Sequence, residues 1–276
     1  MTDWSVRRIN RALELFSSPS YLEVGVFEGE TFLNIGANMK TAVDPKFRFD
    51  TQEQERPGVF FAEKTSNAYF ADLHPDTVFD VVFLDGLHTF EQTYRDLTAA
   101  LLHTHQDSLI LIDDVVPSDV FSAMRDQSEA YNARDAHGGK GRKWHGDVFK
   151  VVFAIHDYHL GLDYRTITGS GNPQCLVWRS PGSSRQPRLQ TWEAVSRLDF
   201  FELDRQRDVL KECSEEVAFA SALSDRTSSR PDEQLPRRWF ERGRGVELTS
   251  RRERETVARD RVPAWDARDV GGDLQT

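Results

Sequence analysis

The chain has 276 residues and a formal net charge of −10, with 29% charged and 38% hydrophobic residues, a balance that gives no basic stripe for phosphate backbones and excludes a nucleic-acid partner. That length allows one substantial core plus an appendage, and the two cysteines, Cys175 and Cys213, lack metal-ligand spacing and read as reduced thiols. Residues Met1 to Arg8 carry no apolar leader and no run reaches the length of a membrane span, so a cytoplasmic protein without a membrane partner is expected.

Val6, Ile9, Leu13 and Phe16 recur at helical spacing and predict a first amphipathic helix ending at residues 17–20. Tyr21 to Val24 reads as the first strand, Thr31 to Ile35 as a short helix, and Thr41 to Asp44 as a second strand stopped by Pro45. Val59 to Glu63 gives the third strand, with Ser66 placed to cap a helix from Asn67 to Leu73. Phe79 to Leu84 and Ser108 to Ile112 are the fourth and fifth, both β-branched and apolar enough to be buried on two faces. Between them Thr89 and Gln92 have capping-box spacing, and Phe90, Tyr94, Leu97 and Leu101 share one helical face. Strands alternating with helices predict a mostly parallel sheet, covered on both sides, with right-handed crossovers.

After Asp114 the rhythm breaks. Pro117 to Lys143 is polar and longer than an ordinary connection, which predicts a lid or substrate loop. A helix follows from about Asp147 to Asp157, then two strands, Leu162 to Thr168 and Cys175 to Trp178, whose turn-rich link at Gly169 to Pro173 is too short for a helical crossover. These two should form an antiparallel hairpin at the sheet edge. Three parts are expected: a domain over 1–182, a helical appendage over 183–224, and a charged, flexible tail over 225–276 that Trp239, Phe240 and Trp265 could anchor to a partner.

Chemistry concentrates where strands end. Asp85 and His88 follow the fourth strand, and Asp113 and Asp114 follow the fifth, at the edge where open α/β sheets bind ligands. Three clustered carboxylates repel strongly unless a hard cation neutralises them, and oxygen ligation suits Mg²⁺, Mn²⁺ or Ca²⁺. The plainer alternative is that Asp85 and Asp113 cap helices and Asp114 is solvated. Gly25 and Gly29 follow the first strand, spaced to let backbone approach a ligand or simply to make a tight turn; their spacing is not that of a dinucleotide fingerprint. Asp44, at the end of the second strand, is placed to accept hydrogen bonds from a ribose diol. His88 sits at a helix start, where the positive end favours neutral imidazole, and is the candidate base; its alternative is a structural histidine. Asp147, in the Trp144 to Asp147 run, reads as a substrate contact or an N-cap, while His103 and His105 read as surface residues.

The succession Glu23-x-Gly25-x-x-x-Gly29, Asp44-Pro45, Thr65-Ser66, Asp85-Gly86-Leu87-His88 and Ile112-Asp113-Asp114 resembles the class I S-adenosylmethionine-dependent methyltransferases. Within them it is most similar to the metal-dependent sugar and small-molecule O-methyltransferases of the macrocin and novobiocin tailoring type. The resemblance covers roughly Trp4 to Ser180. It implies a doubly wound, mostly parallel seven-stranded sheet closed by an antiparallel hairpin, the Rossmann-like methyltransferase fold. It implies S-adenosylmethionine bound by Glu23, Gly25, Gly29, Asp44, Ser66 and Asp85, with Gly25 and Gly29 at the methionine side, Asp44 on the ribose and Ser66 near the adenine. It further implies Mg²⁺ or Mn²⁺ on Asp85, Asp113 and Asp114, a hydroxylated small-molecule substrate such as a sugar or glycoside, and a possible homo-oligomer. Some relatives carry an acid at the position of Leu87, and its loss here shifts the role of base to His88. The rivals are a tailoring enzyme using the same fold for other chemistry and a non-catalytic binding or assembly module.

Overall fold

The computed structural model describes residues 4–180 and 185–228. Helix α1 (Trp4–Leu13) leads into β1 (Ser20–Val24), then β2 (Met39–Asp44), β3 (Val59–Glu63), α2 (Ser66–Asp72), β4 (Phe79–Leu84), α3 (Phe90–Leu102) and β5 (Thr104–Ile112). Next come α4 (Gln127–Ala136), α5 (Lys150–Tyr158), β6 (Leu162–Ile167), β7 (Gln174–Arg179), α6 (Trp192–Ser196), α7 (Phe200–Arg205), β8 (Glu212–Cys213) and α8 (Glu215–Ser228). The sheet order is β3-β2-β1-β4-β5-β7-β6-β8. The first five strands pair in parallel, β7 runs antiparallel to both β5 and β6, and the two-residue β8 joins β6 in parallel. All seven expected strands are present, with β8 added at one edge. The hairpin forms as expected, and its second strand inserts between β5 and β6.

Alternation along the central strands sends side chains to two cores. Leu22, Val24, Val82, Leu84, Ile110 and Ile112 face α3 and α5, meeting Phe90, Leu97, Val152 and Phe153. Tyr21, Val81, Phe83, Leu109, Leu111 and Trp178 face α1 and α8, meeting Ile9, Leu13, Phe219 and Ala222. Each fully buried Leu, Ile, Val or Phe contributes about 1.5–3 kcal/mol from water exclusion, so the stretch from β4 to β5 anchors both layers. Residues 192–224 of the expected appendage, with 225–228 of the expected flexible tail, supply β8 to the sheet and α8 to one face. Beyond Ser228 the expected tail, including Trp239, Phe240 and Trp265, lies outside the described residues. No described helix is long and apolar enough to cross a membrane.

Local capping differs from the sequence expectation in two places. Thr65, not Ser66, caps α2, its hydroxyl accepting from the Ala68 N–H at 3.3 Å. At α3 the Thr89–Gln92 box does not form. Asp147 Oδ1 accepts the Phe90 N–H at 2.7 Å instead, a cap delivered from 57 residues away, and Gln92 turns to Ser66, Asn67 and Asp96. The long segment after Asp114 is not all loop, for α4 forms within it behind an Asp126 cap that accepts the Glu129 N–H at 2.9 Å. His103 and His105 are also not free surface groups: His103 Nδ1 lies 2.9 Å from Thr77 O and His105 Nε2 lies 2.8 Å from Asp80 Oδ1.

Candidate active site

The carboxyl ends of β1, β2, β4 and β5 open onto a cavity of about 950 Å³. Gly25 leaves β1 with φ +86°, and a Cβ there would lie 1.9 Å from the Asp85 carbonyl oxygen, so only glycine lets the β1 turn pass β4. Its N–H donates to Val43 O at 2.9 Å. Asp44 organises the same turn: Oδ2 accepts the Val26 and Phe27 N–H groups at 2.9 Å each, and Oδ1 accepts the Lys46 N–H at 2.7 Å. Glu23 is 1% exposed, and its Oε2 accepts the Tyr21 hydroxyl at 2.6 Å. Ser66 lies on the cavity wall with Asn67 and Asp96, joined by the Gln92 amide at 3.2, 3.0 and 2.9 Å. Burial raises the Asp96 pKa against the pull of its Ser66 and Gln92 hydrogen bonds. Asn67 and Asp96 went unnoticed in the sequence. An acid on the buried face of α3, one turn after Thr93, was the available signal.

On the facing wall, β4 and β5 pair with Leu84 opposite Ile112, which brings Asp85 level with Asp113. Asp114 follows in the left-handed region at φ +58°, a conformation that costs about 1–2 kcal/mol and turns its carboxylate toward His88. His88 Nδ1 lies 2.7 Å from Asp114 Oδ2 and Nε2 lies 3.7 Å from Asp85 Oδ1. Ligand atoms of Asp85, His88 and Asp114 all fall within 4.8 Å of one another. Asp113, expected in that cluster, is not in it. Its Oδ1 accepts the Asp114 N–H at 2.8 Å and the Asn172 amide at 2.5 Å, and the same amide reaches Asp114 Oδ1 at 2.9 Å. Both aspartates share the Asn172 amide, while the left-handed turn at Asp114 carries its other oxygen to His88. Asn172, on the β6–β7 turn, carried no sequence signal beyond its turn composition.

The charges are unbalanced. Burial first, then repulsion from Asp113, Asp114 and Glu23, pushes the Asp85 carboxyl well above its usual range. The side chain is 32% exposed to the cavity, so repulsion is the firmer cause. Burial and Asp114 raise Asp113, whereas His88 overcomes burial to lower Asp114. For His88 itself burial opposes protonation, but Asp114 and Asp113 outweigh it and raise the pKa. The adjacent carboxylates thus oppose the preference of the helix start for a neutral ring. His88 Nδ1, though close to Asp114, lacks hydrogen-bond geometry, and His145 Nδ1 is buried without a partner. The surplus carboxylate charge of Asp85 and Asp114 is an oxygen donor set that fits a hard divalent cation.

The segment from Trp144 to Asp147 holds this wall in place. Trp144 stacks on His88 with centroids 5.0 Å apart and planes at 16°, while its indole N–H donates to Met124 O at 2.6 Å. Gly146 at φ +59° passes so close that a Cβ would lie 1.8 Å from His88 O. Asp147 turns out to be a cap, for α3 rather than α5, and its Oδ2 pairs with Lys150 Nζ at 3.0 Å. Tyr131 and Arg142, from α4 and the loop after it, line the cavity mouth.

A parallel sheet with β7 reversed, a glycine turn after β1, acids after β2, β4 and β5, and a cavity joining them form a doubly wound α/β fold whose cavity lies at the carboxyl ends of the strands, where such sheets bind ligands. Residues 22–115, about a third of the chain, match a family model described as a methyltransferase domain. That span opens in β1 and closes just past Asp114, so it contains the glycine turn, Asp44, Ser66 and the paired acids. Over that span the chain is similar to a methyltransferase domain. Among solved structures, cofactor-bound Rv0187 from MTB is 15% identical over 65% of this chain and 81% of that one, with a TM-score of 0.45. A chain described as a candidate O-methyltransferase from Klebsiella pneumoniae is 15% identical, covering 65% and 91%, at 0.44. The O-methyltransferase from Bacillus cereus in complex with SAH is 10% identical, covering 65% and 92%, at 0.40. No curated protein matches the chain. These likenesses are distant, and the fold rests on the strand order itself.

Proposed function

We propose that this chain methylates a hydroxyl of a small molecule, a sugar or glycoside by sequence resemblance, with the help of a divalent cation such as Mg²⁺. The observation that carries this reading is the convergence of Asp85, His88 and Asp114 within 4.8 Å, on the wall of the same cavity that Gly25 and Asp44 shape. When bound, S-adenosylmethionine supplies an electrophilic methyl group, and a cation lowers the pKa of the hydroxyl that it grips. Asp85 and Asp114 would hold the cation by carboxylate oxygen, with Asp113 adding negative charge beside them. A hard ion prefers oxygen, which leaves His88 to serve as base. Asp114 faces Nδ1 at 2.7 Å and stabilises positive charge on the ring, so the proton from the hydroxyl is taken at Nε2. Gly25 and Gly29 admit the methionine end of the cofactor, Asp44 and Glu23 lie beside them for its ribose side, and Ser66 lies toward the adenine. Most of the acceleration then comes from positioning and electrostatics. Residues 1–182 would carry this activity.

Calorimetry with S-adenosylmethionine, with and without Mg²⁺, tests the reading, followed by a methyl-transfer screen of sugar nucleotides and glycosides. Cofactor binding with Mg²⁺-dependent turnover, lost in Asp114→Ala and His88→Ala, supports it. Turnover that persists undiminished in chelator and in Asp114→Ala removes the cation from it.

A further inference from the structure

Arg8 is a charged residue where an amphipathic helix should be apolar. It lies on the buried face of α1 beside Ile9 and Ala12 and is fully buried. Burying a guanidinium is costly unless its donors are used, and an aliphatic side chain would fill the same space without that cost. Its two terminal nitrogens donate to one short segment, while Nε has only the ion pair with Glu215. Nη1 donates to Asn172 O at 2.6 Å and to Gln174 Oε1 at 2.9 Å, and Nη2 donates to Ser170 O. Ser170 and Asn172 lie in the β6–β7 turn outside the strand ladder, and Gln174 opens β7. The residue so pinned, Asn172, is the one whose amide spans Asp113 and Asp114 at 2.5 and 2.9 Å. Behind Arg8 sits Glu215, 2% exposed at the start of α8, with Oε2 3.5 Å from Arg8 Nε and Oε1 paired with Arg7 and Arg11 at 3.1 and 2.9 Å.

We propose that Arg8, braced by Glu215, is a positioning residue for the paired carboxylates and acts on them through Asn172, with Gln174 beside it on Asp113. The last described helix, α8, thereby becomes part of the support of the active site, although it lies outside the segment that matches a methyltransferase domain. The inference rests on the cation reading above. Partners that orient metal ligands from behind change affinity by about 10–100-fold when removed.

The test is Mn²⁺ titration of the full chain, followed by the electron paramagnetic resonance of free ion, with thermal unfolding of every variant. Asn172→Ala is expected to weaken Mn²⁺ binding by about tenfold or more. Arg8→Lys, which keeps the charge but loses the fork, should weaken it in the same direction. The double variant should lose less than the two single losses combined, because Arg8 and Asn172 act on the same turn beside Asp113. Folded single variants that bind Mn²⁺ within twofold of the parent overturn the proposal, as does an additive double variant. If Arg8→Lys does not fold, Glu215→Gln takes its place under the same criteria. A parent that binds no Mn²⁺ overturns the cation reading instead. The relay is then judged by S-adenosylmethionine affinity, since Asn172 lines the same cavity: a tenfold loss in both single variants sustains it, and unchanged affinity refutes it.

Discussion

Gly25→Ala is the most direct probe of how the cofactor turn is built. The added Cβ would lie 1.9 Å from Asp85 O and 2.6 Å from Gly86 Cα, both backbone, where real contacts stay beyond 3.0 Å. The β4 end must retreat by about 1 Å, and the obstacle is main chain rather than a rotatable side chain. Two costs follow. Alanine held at φ +86° loses about 1–2 kcal/mol, and the Asp85 N–H bond to Val24 O, now 2.8 Å, is stretched or lost for about another 1 kcal/mol. The variant should therefore unfold in urea about 2–3 kcal/mol more easily. Moving Asp85 by that distance also displaces a candidate cation ligand, so turnover should fall by about 100-fold. Urea melts and methyl-transfer assays measure both. A variant within 0.5 kcal/mol of the parent in stability and within about threefold in rate would refute the packing derived for this turn.

Three further substitutions address the supporting wall and the core. Asp147→Ala removes the cap of α3 and the buried partner of Lys150, and should cost about 1–2 kcal/mol by urea unfolding; a smaller change would show that Thr89 can take over the cap. Trp144→Ala removes the ring stacked on His88, a contact worth about 1 kcal/mol. Turnover should drop by up to about tenfold. Calorimetry should find S-adenosylmethionine affinity unchanged, and an equal loss in binding would argue against a role through His88. Lys40 is 1% exposed, and its ammonium donates to Phe32 O and Ile35 O at 2.6 and 2.9 Å. Burial, helped by Arg56, lowers its pKa to about 8 from 10.5. The unfolded chain thus holds this proton more tightly, and a penalty of about 3 kcal/mol, fully present below pH 8, is relieved as pH rises to 10.5. Lys40→Met should lose that rise in unfolding free energy across the window, and a variant that keeps the parental slope would assign it to other groups.

The sequence by itself determined the layers and the edge. Apolar runs of β-branched residues interrupted by amphipathic helices can bury both faces only as a parallel sheet with helices on each side, so β1 to β5 and the hairpin were readable from periodicity. The positions of Gly25, Asp44, Asp85, Asp113 and Asp114 at strand ends followed from the same pattern, because a strand end is local information. Only the tertiary structure decided which partners those side chains meet. Asp147 caps a helix 57 residues upstream, the Asn172 amide spans Asp113 and Asp114, and Arg8 reaches the β6–β7 turn 162 or more residues away. Hydrogen-bond partners at such separations leave no period or spacing in the chain. They exist only after the strands pair, since the β4–β5 register and the insertion of β7 set which turns share an edge of the sheet.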